Sequence, residues 1–134
     1  MTLARKSIAA AAAVSALALL SACGGKQSSP EKAVEAFTMS TCQGDKEGAL
    51  AMFNPDVIKK AGKAKVEAYL SLMEAECTAR GGVKKVEILD TTVISKEPRE
   101  SLKVKYKITY KGDTAAQTSN AVATNFDGRW YVGN

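Results

Sequence analysis

The chain changes its hydrophobic period once, at Gly81-Gly82, and that change limits the fold more than any other feature. Before it, apolar residues recur at helical spacing: Val66, Leu70, Met73 and Cys77 fall at i, i+4, i+7 and i+11, one stripe of a helix. After it, the spacing is two. Leu102-Lys103-Val104-Lys105-Tyr106-Lys107-Ile108-Thr109-Tyr110 alternates apolar with polar over nine residues, so one face of a strand is buried and the other solvated. A run of helices followed by a run of strands is the signature of an α+β domain with its helices on one face of an antiparallel sheet.

The boundaries follow from local chemistry. Ser29 is an N-cap with Pro30 at the first helical position and Glu31 in the first turn, and Gly44 stops that helix just past Cys42. Asp45 caps a short second helix that runs to Phe53, where Asn54-Pro55 breaks it. A third helix opens at Pro55 and is ended by Gly81-Gly82, loosened or kinked at Gly62. Val83–Lys96 is a strand, Glu97-Pro98-Arg99-Glu100 a turn and Leu102–Tyr110 the clearest strand. Lys111-Gly112-Asp113 is a hairpin turn, Thr114–Phe126 a third strand, and Asp127-Gly128 a tight turn into Arg129–Val132. The expectation is three N-terminal helices packed on a curved four-stranded antiparallel meander.

Residues 1–22 are read separately. Arg5 and Lys6 precede an uncharged apolar stretch, Ser7–Leu20, and small residues follow at Leu20-Ser21-Ala22. This is the layout of a secretory signal peptide, and the apolar stretch is shorter than the roughly 20 residues a spanning helix needs. Leu20-Ser21-Ala22-Cys23 resembles the bacterial lipobox. The resemblance implies cleavage between Ala22 and Cys23 and acylation of Cys23, which anchors the chain in the lipid bilayer of a bacterial cell envelope. Gly24, in place of Asp, favours the outer membrane if the host is Gram-negative. The expected organisation is a signal peptide over 1–22, a lipidated flexible tether over 23–29 and a domain over 30–134.

Losing Arg5 and Lys6 with the leader lowers the net charge from +5 to +3, too mild to argue for nucleic acid. The sequence has no His, which removes the usual general base and the commonest metal ligand. No metal cluster, phosphate loop or Ser/His arrangement is legible, so no catalytic residue, metal or cofactor is expected. With Cys23 lipidated, Cys42 and Cys77 remain as a pair. Up-down-up helices bring their helix ends to one end of the domain, which favours a disulfide in an oxidising envelope. Two buried free thiols are the alternative, and a catalytic thiol lacks a basic partner.

The helices and the terminal motif together resemble the nuclear transport factor 2-like superfamily, the cone-shaped α+β fold shared with ketosteroid isomerases, and within it a small bacterial lipoprotein branch. The residues that carry the resemblance are Pro30-Glu31-Lys32-Ala33-Val34-Glu35-Ala36-Phe37, Gly44-Asp45-Lys46-Glu47-Gly48-Ala49 and Asp127-Gly128-Arg129-Trp130-Tyr131-Val132. The resemblance implies a conical pocket between sheet and helices, for which Phe37, Tyr69, Tyr106, Tyr110 and Trp130 are candidate lining. Such a pocket fits a ligand-binding or protein-interaction module for an envelope protein or a small apolar ligand. An isomerase-like enzyme and a homodimeric assembly role are the alternatives. An isomerase needs a pocket carboxylate and an oxyanion hole; Asp90 is the one acid well inside a strand, and its neighbours do not reveal which way it faces. Two lysine groups, Lys59/Lys60/Lys63/Lys65 and Lys103/Lys105/Lys107/Lys111, read as solvated faces, with contact to anionic lipid headgroups or an acidic partner as the functional alternative.

Overall fold

In a computed structural model the chain is described at residues 25–112 and 115–134. The leader, Ala22, Cys23, Gly24, and Asp113 and Thr114 of the expected hairpin turn and third strand, lie outside the described residues. Among the described residues four helices, α1 (Pro30–Cys42), α2 (Lys46–Ala51), α3 (Pro55–Ala61) and α4 (Lys63–Ala79), precede four strands, β1 (Val83–Ser95), β2 (Ser101–Tyr110), β3 (Gln117–Phe126) and β4 (Arg129–Val132). The strands form one antiparallel sheet in the order β1-β2-β3-β4, the meander expected from the α+β pattern.

The helix starts are built as their cap residues dictate. Ser29 Oγ accepts from the Lys32 amide at 3.1 Å, Asp45 from Gly48 at 3.0 Å, and Asn54 Oδ1 from Asp56 at 2.9 Å. Each satisfies an amide that the first helical turn leaves without a partner. The stretch from Pro55 to Gly81-Gly82, read as one helix, holds two. Gly62 takes φ +97°, a backbone region costly for any residue with a Cβ, and ends α3 while opening α4. Apolar spacing alone could not separate the two, because the stripe from Val66 onward belongs wholly to α4.

The sheet's inner face is the one its alternation marks: Val104, Tyr106, Ile108 and Tyr110 are buried, and Lys103 and Lys105 are exposed on the other face. The half-buried Lys107 pairs with Glu87 at 3.1 Å. A register shift between Ile88 and Asp90 interrupts the edge strand β1, and Asp90 is exposed. The α1 helix lies across the inner face and touches all four strands, while α4 packs on α1, α2 and α3. Ala33, Val34 and Phe37 of α1, Val66 and Leu70 of α4, and Val104, Ala123 and Val132 of the sheet form one core.

Cys42 and Cys77 form a disulfide, Cα–Cα 5.4 Å, that ties the end of α1 to the last turns of α4. The residues are 35 apart, and closing a loop of that length restricts the unfolded chain by roughly 4 kcal/mol. A second tie joins the two halves of the chain. The Val132 amide donates to Met52 O and the Asn54 amide donates to Val132 O, each at 2.8 Å, so β4 is bonded to β3 on one side and to residues 52–54 on the other.

Candidate functional site: a cleft between α4 and the sheet

The core packing stops short of filling the space between α4 and the open end of β3. It leaves a cleft of about 610 Å³. The floor is apolar: Phe37 from α1, Phe53 from the α2–α3 link, Val66 and Met73 from α4, and Val132 from β4. The polar groups are few and lie around it, with Tyr69, Lys65 and Glu76 on α4, Tyr106 on β2, and Ser119 and Asn120 on β3. An apolar floor with a small set of polar groups is the composition of small-molecule sites in general.

Three aromatic rings give the cleft its shape. Phe37 and Phe53 are tilted at 5.8 Å between centroids, and Tyr69 meets Phe53 edge-on at 6.5 Å. Phe37, Phe53 and Tyr106 are buried, whereas Tyr69 is 51% exposed and stands at the mouth. Partial burial raises the Tyr69 phenol pKa above its ordinary value, and the nearby Tyr106 adds to the effect. Tyr69 is therefore a neutral hydroxyl at physiological pH, able to donate or accept. Glu76, the one side-chain carboxylate along the cleft, is paired with Arg80 at 3.6 Å and is largely solvated. Asp90 is not part of the cleft.

Of the five aromatic residues expected to line a pocket, Phe37, Tyr69 and Tyr106 do so. Tyr110 and Trp130 do not. Tyr110 shares Tyr106's face of β2 but lies four residues further along, where the Arg80 guanidinium sits 5.4 Å from its ring centre. Trp130 is buried at the start of β4, where its backbone is bonded to Gln27. Sequence reasoning passed over Val57, Ala61 and Met73 as lining, and Ala121 and Val122 of β3 and residues 133–134. The helical stripe containing Met73 could have pointed to it; nothing local marks the strand end. Among the described residues no group of three or more His, Cys, Asp and Glu could hold a metal ion.

The Gly25–Ser29 segment, expected to be slack, is attached. Gln27 O accepts from the Trp130 amide at 3.0 Å, and Gln27 Nε2 donates to Trp130 O at 3.0 Å. Gly25 O accepts from Ser28 N at 3.2 Å, closing a turn.

Comparison with known proteins supports the fold. No protein-family model matches the chain, and no curated protein does either. Among solved structures, the chain is similar to a protein from Campylobacter jejuni provisionally named an NTF2-like transpeptidase. They are 25% identical with a TM-score of 0.62, over 78% of this chain and 97% of that one. A SEC-C motif containing protein from Rhodopseudomonas palustris aligns at 14% identity and a TM-score of 0.49, over 80% of this chain and 77% of that one. The four-strand meander, the α1 helix laid across it and the likeness to the Campylobacter protein together establish an NTF2-like α+β fold.

Proposed function

We propose that the chain is a lipid-anchored envelope protein whose NTF2-like domain binds a small ligand in the α4–sheet cleft without transforming it. The observation that carries the binding reading is the cleft itself, about 610 Å³ with an apolar, aromatic floor and a neutral tyrosine hydroxyl at its mouth. That composition suits a ligand with an apolar or aromatic body and one or two hydrogen-bonding groups. The lipobox-like Leu20-Ser21-Ala22-Cys23 supports the anchor.

Two kinds of chemistry are less well supported. An isomerase-type pocket needs a free carboxylate base facing the substrate and an oxyanion hole, and Glu76 is held by Arg80. The transpeptidase activity in the Campylobacter protein's name is not carried over. Acyl transfer needs an activated nucleophile, but Cys42 and Cys77 are joined to each other. Ser119, the serine of the cleft, is exposed, and no base is hydrogen-bonded to it among the described residues.

Native mass spectrometry of the domain released from its own envelope tests the reading. A co-purifying small molecule that is lost from an Ala121→Trp variant is the expected result. A wild-type domain that carries no extra mass, and binds nothing in a screen of envelope extracts, overturns it.

A further inference from the structure

The turn end of the sheet gathers features that no ligand in the cleft would use. Antiparallel register brings them together: Ser95 pairs with Ser101, Ser101 with Thr124 and Phe126 with Arg129, and Trp130 is bonded to Gln27. The end of β1, the turn 96–100, the turn 127–128 and the N-terminal segment therefore share one end of the domain.

Three observations at this end point to the same partner. First, the N-terminal segment is pinned here by both Gln27–Trp130 bonds, one of them made by a half-buried side chain. Cys23 is four residues before Gln27, and four residues of fully extended chain reach at most about 14 Å. Second, Val93 and Ile94 are 51% and 54% exposed near the end of an edge strand, two neighbouring apolar side chains left uncovered. Third, Arg99 stacks on the Phe126 ring at 3.9 Å, and Phe126 meets Tyr131 edge-on at 5.2 Å. Cations beside aromatic rings, next to exposed aliphatic side chains, are what the boundary between headgroups and acyl chains accommodates. The charges at this end nearly balance, Lys26, Lys96, Arg99 and Arg129 against Glu97, Glu100 and Asp127. Anionic lipid is therefore not required.

We infer that this turn end is a bilayer-docking surface. The Gln27–Trp130 clamp fixes the domain's orientation, Val93 and Ile94 enter the interface, and the Ser119 end of the cleft points away from the membrane. In the register Val93 is level with Leu102, Ala123 and Val132, so the Val132 side of the cleft lies nearest the docking surface, while Ser119 lies four residues further along β3 from Ala123, about 13 Å at the rise of a strand. The Ser119 end of the cleft then opens to the aqueous space. This inference rests on the Cys23 anchor of the preceding reading.

The test separates the two. The processed chain starting at Cys23 has a single free thiol, because Cys42 and Cys77 are bonded to each other, and that thiol is coupled to maleimide lipid in phosphatidylcholine vesicles. A fluorescent non-natural residue is placed at Ile94, Val93 or Lys65, and quenching is read with headgroup-spin-labelled lipid. Quenching several-fold stronger at positions 93 and 94 than at 65 is expected, with little change when phosphatidylglycerol is added. Deleting the clamp side chain (Gln27→Ala) while lengthening the tether with Gly-Ser repeats should collapse that difference, with the circular dichroism spectrum unchanged. Equal quenching at all three positions, or stronger quenching at Lys65, overturns the orientation. Because the anchor is supplied chemically, this outcome is independent of whether cells acylate Cys23, which metabolic labelling with a palmitate analogue decides.

Discussion

Gly133 lies so close to Phe53 that a Cβ on it would come within 2.7 Å of the ring's Cζ. Its φ of +119° is one that residues with a Cβ avoid. The contact seats the end of the sheet against the α2–α3 link and forms one wall of the cleft. Gly133→Ala should cost about 2–4 kcal/mol from strain and overlap together. Urea unfolding checks this, and an unchanged midpoint would show that the backbone relaxes freely there.

The disulfide gives a second prediction. Reduction, or Cys42→Ser with Cys77→Ser, should lower the unfolding free energy by about 2–4 kcal/mol, from the loop of 35 residues it closes. Alkylation with and without reductant gives the redox state directly: full labelling of both thiols without reductant would contradict the bond.

Leu70 is 2% exposed and has the largest fully buried side chain among the described residues. Leu70→Ala should lose about 2–5 kcal/mol, because the removed methyl groups leave a cavity between rigid helices. Leu72, two residues on and 72% exposed, provides the internal comparison: Leu72→Ala should change stability by less than about 0.5 kcal/mol.

The pH dependence follows from Tyr69. Its pKa is raised in the folded state, so the folded form holds the proton more tightly than the unfolded one. The associated stability is complete below the ordinary value of 10.0 and is lost as pH rises through the higher folded value. The urea midpoint of the wild type should therefore fall more on alkalinisation than that of Tyr69→Phe. The difference should be small, because the ring is half exposed. Parallel midpoints over the alkaline range would remove the effect.

The anchor has its own prediction. Cys23→Ala should move the protein from the membrane fraction to the soluble fraction and abolish incorporation of palmitate analogues. A variant that stays in the membrane and still labels would sink the lipobox reading.

The sequence carried the element order because that order is written in local signals. Ser29, Asp45 and Asn54 mark helix starts through their own side chains, and the alternation from Leu102 to Tyr110 names the buried face of β2 residue by residue. It did not carry position along a strand. Tyr106 and Tyr110 share a face, and a period of two cannot say that one meets a cleft while the other is covered by Arg80. Nor could composition show that Gln27 is held. Gly, Lys, Gln and Ser read as a linker, and the bonds that pin the segment come from Trp130, 103 residues away. The break at Gly62 was half legible: the glycine was visible as a weak point, but its positive φ was not.

The short strand β4 makes the two halves of the chain depend on each other. Residues 129–133 supply the bonds to Met52, Asn54 and Gln27 and the wall against Phe53. Every one of those partners lies in the N-terminal half of the chain, so a truncation before Arg129 would take away one side of the cleft, uncover the β3 edge and release the N-terminal segment together.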